Sequence, residues 1–206
     1  MAQKLIIIGA RGHGKVIADI ALKSNRWETI VFLDDDESIK ETTGFEVIGK
    51  PDDAIKYSEE ADFFVAIGNN SIREKMQEQL ENEGFSVVSL IHPKSVIAAD
   101  VEIGKGTAIM AGGIINSSCK IGKGCIINTA STLDHDNVIE DYVHISPGAH
   151  LAGTVRVGKR SWLGVGSIVS NNLNISEDCQ LGAGAVVVKG IVEPGTYVGV
   201  PVRKID

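Results

Sequence analysis

From Ile97 to Val187 every sixth residue is Ile, Leu or Val. Sixteen positions keep this register without a break: Ile97, Ile103, Ile109, Ile115, Ile121, Ile127, Leu133, Ile139, Ile145, Leu151, Val157, Leu163, Val169, Ile175, Leu181 and Val187. A strict six-residue period predicts a parallel β-helix built of hexads. The aliphatic points inward and fills a narrow core. Position five is usually small or slim, as at Thr107, Gly113, Cys119, Cys125, Ser131, Ala149, Ser161, Cys179 and Ala185, and reads as a second inward slot near a corner. Gly, Asn and Asp at positions two to four suit corners with unusual dihedrals. Neighbouring coils bond along the axis, so stability comes from stacking. No hexad carries an insertion.

The hexad is missing from residues 1–90, so residues 91–206 form a second domain with a C-terminal tail. The pattern of residues 1–90 predicts a parallel α/β sheet. Leu5–Ile8 is a buried strand, followed by a helix over about Lys15–Lys23. Strands follow at Thr29–Leu33, Asp62–Ile67 and Phe85–Leu90. A helix runs from Ser71 to Gly84, with Arg73, Glu74, Lys75, Gln77, Glu78, Gln79 and Glu81 on its outer side. Gly9-Ala10-Arg11-Gly12-His13-Gly14 joins strand one to its helix. Such a turn lets backbone approach a phosphate at a helix N-terminus. It is not G-x-G-x-x-G, because Arg11 replaces the second glycine. Asp34 and Asp35, ending strand two, stand where an acid accepts bonds from ribose or base donors. Gly68-Asn69-Asn70 closes strand three at the same sheet edge. Spacing alone leaves a second reading, in which the glycines are turn residues and the aspartates a solvated loop.

Composition narrows the partners. The chain has 206 residues, 43% of them hydrophobic, and a net charge of −7. No Lys/Arg cluster marks a nucleic-acid surface. Leu5–Ile8 is too short for a signal core, and no apolar run reaches the roughly 18 residues that span a membrane. Cys119, Cys125 and Cys179 all fall at position five and read as core fillers, which points to the cytosol. No two histidines have metal-ligand spacing with a third partner.

His135 is at position three of its hexad, a corner, between Asp134 and Asp136. It therefore faces outward, where a neutral imidazole can remove a proton. His144 and His150 are at position six; for His144 a surface role is equally open, and for His150 it is the favoured reading.

These motifs in order carry a resemblance: Gly9–Gly14, Phe32-Leu33-Asp34-Asp35, Ala66-Ile67-Gly68-Asn69-Asn70 with Ile72-Arg73, Leu90-Ile91-His92, His135-Asp136, His144, Ala152-Gly153 and Gly199-Val200-Pro201. Together with the repeat, the chain resembles the bacterial nucleotide-sugar and sialic-acid acetyltransferases of the hexapeptide-repeat acyltransferases. It is especially similar to those completing UDP-N,N′-diacetylbacillosamine. The resemblance implies a Rossmann-like N-terminal domain, a left-handed β-helix of 18-residue coils, a homotrimer and acetyl-CoA as co-substrate. It implies His135 as base with Asp136 orienting it, and His144 and Gly153 at the acetyl group. Gly12, His13, Asp34, Asp35, Gly68 and Asn69 would hold a UDP-amino sugar, and the tail Gly195–Lys204 would cap the helix near the CoA adenine. Asp136 replaces the Glu of bacillosamine enzymes and matches sialic-acid O-acetyltransferases, so N- and O-acetylation both stay open. A non-catalytic nucleotide-binding scaffold is disfavoured by His135-Asp136, and an NAD oxidoreductase by Arg11.

Overall fold

The computed structural model describes residues 3–205. It divides into two compact units, Met1–Pro93 and Lys94–Asp206, with the boundary three residues later than the repeat suggests.

The first unit is a twisted sheet flanked by helices. Its elements are β1 (Lys4–Ile8), α1 (Gly12–Ser24), β2 (Thr29–Leu33), β3 (Glu41–Thr42), β4 (Phe45–Gly49), a 3₁₀ helix (Pro51–Tyr57), β5 (Ala61–Val65), α2 (Asn70–Asn82) and β6 (Ser86–Val87). The strand order is β3-β4-β2-β1-β5-β6. All neighbours are parallel except the β3–β4 hairpin. β1 is central and its Leu5–Ile8 run is at most 1% exposed, as expected of a strand covered on both faces. Because β2 and β5 flank β1 on opposite sides, their C-terminal ends frame a crevice, the usual ligand position in such sheets.

Several boundaries differ from the sequence reading. α1 begins at Gly12, three residues before Lys15, because Gly12, His13 and Gly14 themselves form its first turn. Strand three ends at Val65, and the stretch Phe85–Leu90 forms only Ser86–Val87 before a short strand at Leu90–Ile91. The β3–β4 hairpin was not legible. Its turn uses Thr43 and Gly44, both at positive φ (49° and 81°), in place of an Asn-Gly signal. Arg73 and Gln77, expected on the outer side of α2, are instead fully buried. The Arg73 guanidinium donates to the carbonyls of Ile67 (2.9 Å) and Gly68 (3.2 Å) and to Asn70 Oδ1 (2.7 Å). Those bonds offset the cost of burying a cation.

The second unit is a parallel β-helix. Each hexad gives a two-residue strand at positions six and one, and strands stack with a step of 18 residues, for example Thr132↔His150↔Ile168. Three sheets result, one per side of a triangular prism, parallel except where Arg203–Lys204 pairs antiparallel with Gly195–Val198 in the tail. The repeat residues from Ile109 to Val187 are buried and form one continuous core. Position four of every hexad from Gly106 to Gly184 has positive φ, whether it is Gly, Ser118, Ala130, Asp136, Tyr142, Thr154, Arg160, Asn172 or Asp178. The corner geometry is thus imposed by stacking and overrides the usual steric preference of L-residues. Position five is buried from Thr107 to Ser167, as expected; two of its hydroxyls accept from the next coil, while Ser167 Oγ is buried without a partner among the described residues. Thr107 accepts from Cys125 N, and Ser161 from Cys179 N.

Candidate active site

His135 and Asp136 occupy positions three and four of one corner. Asp136 sits at φ 59°, a conformation that Asp tolerates better than most residues. Its Oδ2 lies 2.7 Å from His135 Nδ1. The Nδ1–H therefore faces the carboxylate, and Nε2 presents its lone pair outward. Asp136 is the leading cause that raises the His135 pKa above its ordinary value. Asp134 fixes the other side: its Oδ1 accepts from His135 N (2.9 Å) and from Asn116 Nδ2 (3.1 Å). Beneath the corner, fully buried Asn137 donates to Asp134 O (2.7 Å) and accepts from Val155 N (2.8 Å). A groove of about 500 Å³ runs alongside, lined by Asn116, Thr132, Asp134, His150, Ala152 and Ser170 among others.

Gly153 lies one coil further along, under the His135 ring. A Cβ there would stand 2.5 Å from Cε1 and 2.6 Å from Nε2. Its amide makes no hydrogen bond within the described residues. The equivalent amides of Lys123, His135 and Lys159 are each taken by a carboxylate. Gly153 thus offers an open N–H donor beside the imidazole.

His144 stands elsewhere. His135 lies on the corner between the sheets of Thr132–Leu133 and Val138–Ile139, whereas His144–Ile145 belongs to the third sheet, on the opposite side of the prism. His144 is 8% exposed, stacks on Trp162 (5.0 Å, 17°) and lies 3.1 Å from Asn128 Nδ2 through Nε2. Within one β-helix it cannot meet the same acetyl group as His135.

A cavity of about 370 Å³ opens at the C-terminal edge of the first unit's sheet. Gly9, Arg11, His13, Asp34, Asp35 and Gly68 line it, with Pro51, Ile67, Ile72 and Met76 as apolar wall. The turns after β1, β2 and β5 thus border one pocket. The three glycines of the first turn differ in cause. Gly9 has φ +104°, and a Cβ on Gly14 would overlap Gly9 O, so the fold requires both. Gly12 has neither constraint, and a Cβ there meets nothing within 4 Å. Gly68 is equally unconstrained. His13 Nε2 is buried without a partner, and burial, then Arg73, pushes its pKa down to about 4. The ring is neutral at physiological pH.

The two aspartates diverge. Asp34 is committed to the backbone, accepting from Ala10 N at 2.7 Å and Asp36 N at 2.9 Å. Asp35 is exposed and its carboxylate makes no hydrogen bond within the described residues. Asn69 is also committed: it caps α2, with Oδ1 accepting from Ile72 N, and it does not line the cavity. Sequence reasoning missed Asn116, Asn128, Asn137 and Trp162, and it included Arg73 in a motif but placed it on the outer side of its helix. Only Asn137 left a signal, as a polar residue at an inward position.

No group of three or more His, Cys, Asp or Glu side chains among the described residues could hold a metal. No helix among them is long and apolar enough to cross a membrane.

A hexad β-helix that follows an α/β domain in the chain, with an exposed His–Asp pair on one corner, is the architecture of the hexapeptide-repeat class. Residues 4–80 match the family model described as PglD N-terminal domain. GDP-perosamine N-acetyltransferase of Escherichia coli O157:H7 is 30% identical over 81% of this chain and 78% of its own. UDP-N-acetylbacillosamine N-acetyltransferase of Bacillus subtilis (strain 168) is 36% identical over about half of each chain (53% and 52%). Among solved structures, the acetyltransferase domain of PglB from Neisseria gonorrhoeae FA1090, in complex with acetyl coenzyme A, matches with TM-score 0.97 and 38% identity over 100% of both chains. The chain belongs to the sugar N-acetyltransferase family of the hexapeptide-repeat acyltransferases, with a Rossmann-like domain ahead of a left-handed β-helix.

Proposed function

We propose that the protein transfers the acetyl group of acetyl-CoA to the amine of a nucleotide-linked 4-amino-4,6-dideoxy sugar, for bacterial glycan or polysaccharide synthesis. The single observation that carries this is the His135–Asp136 pair facing outward beside the open Gly153 amide. His135 Nε2 takes a proton from the amine as its nitrogen attacks the thioester carbon. Asp136 holds Nδ1–H and stabilises the imidazolium. The Gly153 amide donates to the carbonyl oxygen as negative charge develops on it. Collapse then breaks the C–S bond and releases CoA thiol with the proton returned. His144 contacts the acetyl group from another subunit. The placement of His135 and His144 on opposite sides of one prism supports a homotrimer in which two copies complete each site.

The cavity lined by Gly9, His13, Asp35 and Gly68 receives the nucleotide, with Gly12 next to it in the chain but not in its lining. UDP is the carrier expected from the motif order. GDP is a second reading, favoured by the GDP-perosamine relative and by Asp35, whose free carboxylate suits the paired N–H donors of guanine. The three free cysteines, all buried, support a reducing, cytosolic setting.

A thiol-release assay with acetyl-CoA against UDP- and GDP-linked 4-amino-4,6-dideoxy sugars and free sialic acid tests the reading. Turnover with at least one amino sugar is expected. Turnover with sialic acid alone would replace it with O-acetylation. A fully active monomer in sedimentation would remove the shared site.

A further inference from the structure

Arg11 is the residue that breaks the usual glycine pattern of the β1–α1 turn, and the mechanism gives it no task. It lines the nucleotide cavity and is the N-cap of α1, yet its side chain makes no capping bond. The first turn of α1 contains no acid. A guanidinium at the positive end of a helix is electrostatically disfavoured unless an anion joins it.

The side chain nevertheless has one partner. Its Nη2 lies 2.9 Å from Asp36 Oδ2, at 74% and 34% side-chain exposure. Asp36 is anchored independently of Arg11: its Oδ1 accepts from Ser38 N and Ser38 Oγ, and its own amide donates to Asp34 Oδ1. Asp34 in turn accepts from Ala10 N, one residue before Arg11. The β1–α1 turn and the loop after β2 are thus tied beside the cavity by two links, one backbone-to-carboxylate and one ion pair. The ion pair uses one of the five guanidinium N–H groups, and the Arg11 side chain makes no other hydrogen bond within the described residues. Beside it lie the unconstrained Gly12 and the unpartnered Nε2 of neutral His13.

We propose that Arg11 is a diphosphate clamp, anchored by Asp36 through Nη2 and closing over the phosphates of the sugar nucleotide with the remaining N–H groups of its fork. An arginine fork suits phosphate oxygens better than an ammonium does. The Asp36 anchor restricts the side chain before binding, so less rotamer freedom is lost on binding. Exposed ion pairs contribute little to stability, so the pair is better explained by ligand binding than by folding. The proposal rests on the nucleotide reading of this cavity.

Titration calorimetry with UDP and GDP tests it on the full chain, at two salt concentrations. For the nucleotide that the wild type binds, Arg11→Ala should raise Kd about ten- to a hundredfold, the effect of losing charge-assisted hydrogen bonds. It should also flatten the salt dependence and leave the melting temperature unchanged. Arg11→Lys should fall between the two, keeping charge without the fork. Asp36→Asn should raise Kd by a smaller factor, because it removes only the anchor. An unchanged Kd in Arg11→Ala overturns the clamp while leaving the nucleotide site standing. Equal losses in Arg11→Ala and Arg11→Lys with unaltered salt dependence also overturn it, by making Arg11 a loop support. Tighter binding in Asp36→Asn would show that Asp36 competes with the phosphates, and overturns the anchor. A wild type that binds neither nucleotide overturns clamp and nucleotide reading together.

Discussion

The His135 imidazole lies directly over Gly153, so that a methyl group on Gly153 would stand 2.5 Å from Cε1. The glycine is required by the ring above it, and the same missing side chain leaves its amide open to a ligand. Gly153→Ala should therefore displace the imidazole from Asp136 and lower kcat about ten- to a hundredfold, since small misplacements of a base are costly. The β-helix core is untouched, so thermal unfolding should stay near wild type. A Gly153→Ala enzyme with wild-type kcat would remove the ring–glycine relationship from the mechanism.

His135→Ala should reduce kcat about 10²–10⁴-fold, the usual contribution of a general base, while acetyl-CoA binding and the oligomeric state persist. Steady-state kinetics and sedimentation on the same preparation check both halves.

The pH profile should report the Asp136 bond. His135 has a raised pKa, with that bond as the leading cause. Below the raised pKa the ring is protonated and cannot accept the amine proton, so the rate climbs as pH rises through it. Asp136→Asn keeps a residue that tolerates positive φ but removes the charge. Its acid limb should move to lower pH, with a reduced plateau. An acid limb that does not move would assign the titration to another group.

Asp34 and Asp35 should separate cleanly. Asp35→Asn should raise KM for the sugar nucleotide about tenfold with little change in melting temperature. Asp34→Ala leaves two loop amides without their acceptor and should cost about 1–3 kcal/mol of stability. Matching chemical denaturation curves for the two variants would contradict this division.

Gly12→Val should raise KM for the sugar nucleotide and spare KM for acetyl-CoA, because a Cβ there meets no protein atom within 4 Å and the added methyls stand between the cavity-lining Arg11 and His13. Selective weakening of acetyl-CoA would mean that the two ligands are assigned to the wrong domains.

The sequence by itself determined the β-helix, its core column and the corner positions of His135 and Asp136, because a six-residue period kept at sixteen successive positions leaves little freedom in what faces inward. It also located the three sheet-edge turns, since buried strands followed by Gly and Asp punctuate an α/β chain clearly. Tertiary structure alone decided which of those residues are available. Asp34 and Asp35 are chemically identical neighbours, yet one is consumed by the amides of Ala10, in the β1–α1 turn, and of Asp36. Arg73 reads as a surface cation on a helix until the carbonyls of Ile67 and Gly68, left over where β5 ends, draw it inside. His135 and His144 are nine positions apart in sequence, and only the threefold winding of the coil places them on opposite sides. Period fixes what a residue faces along its own element; partners contributed by other elements decide what it is free to do.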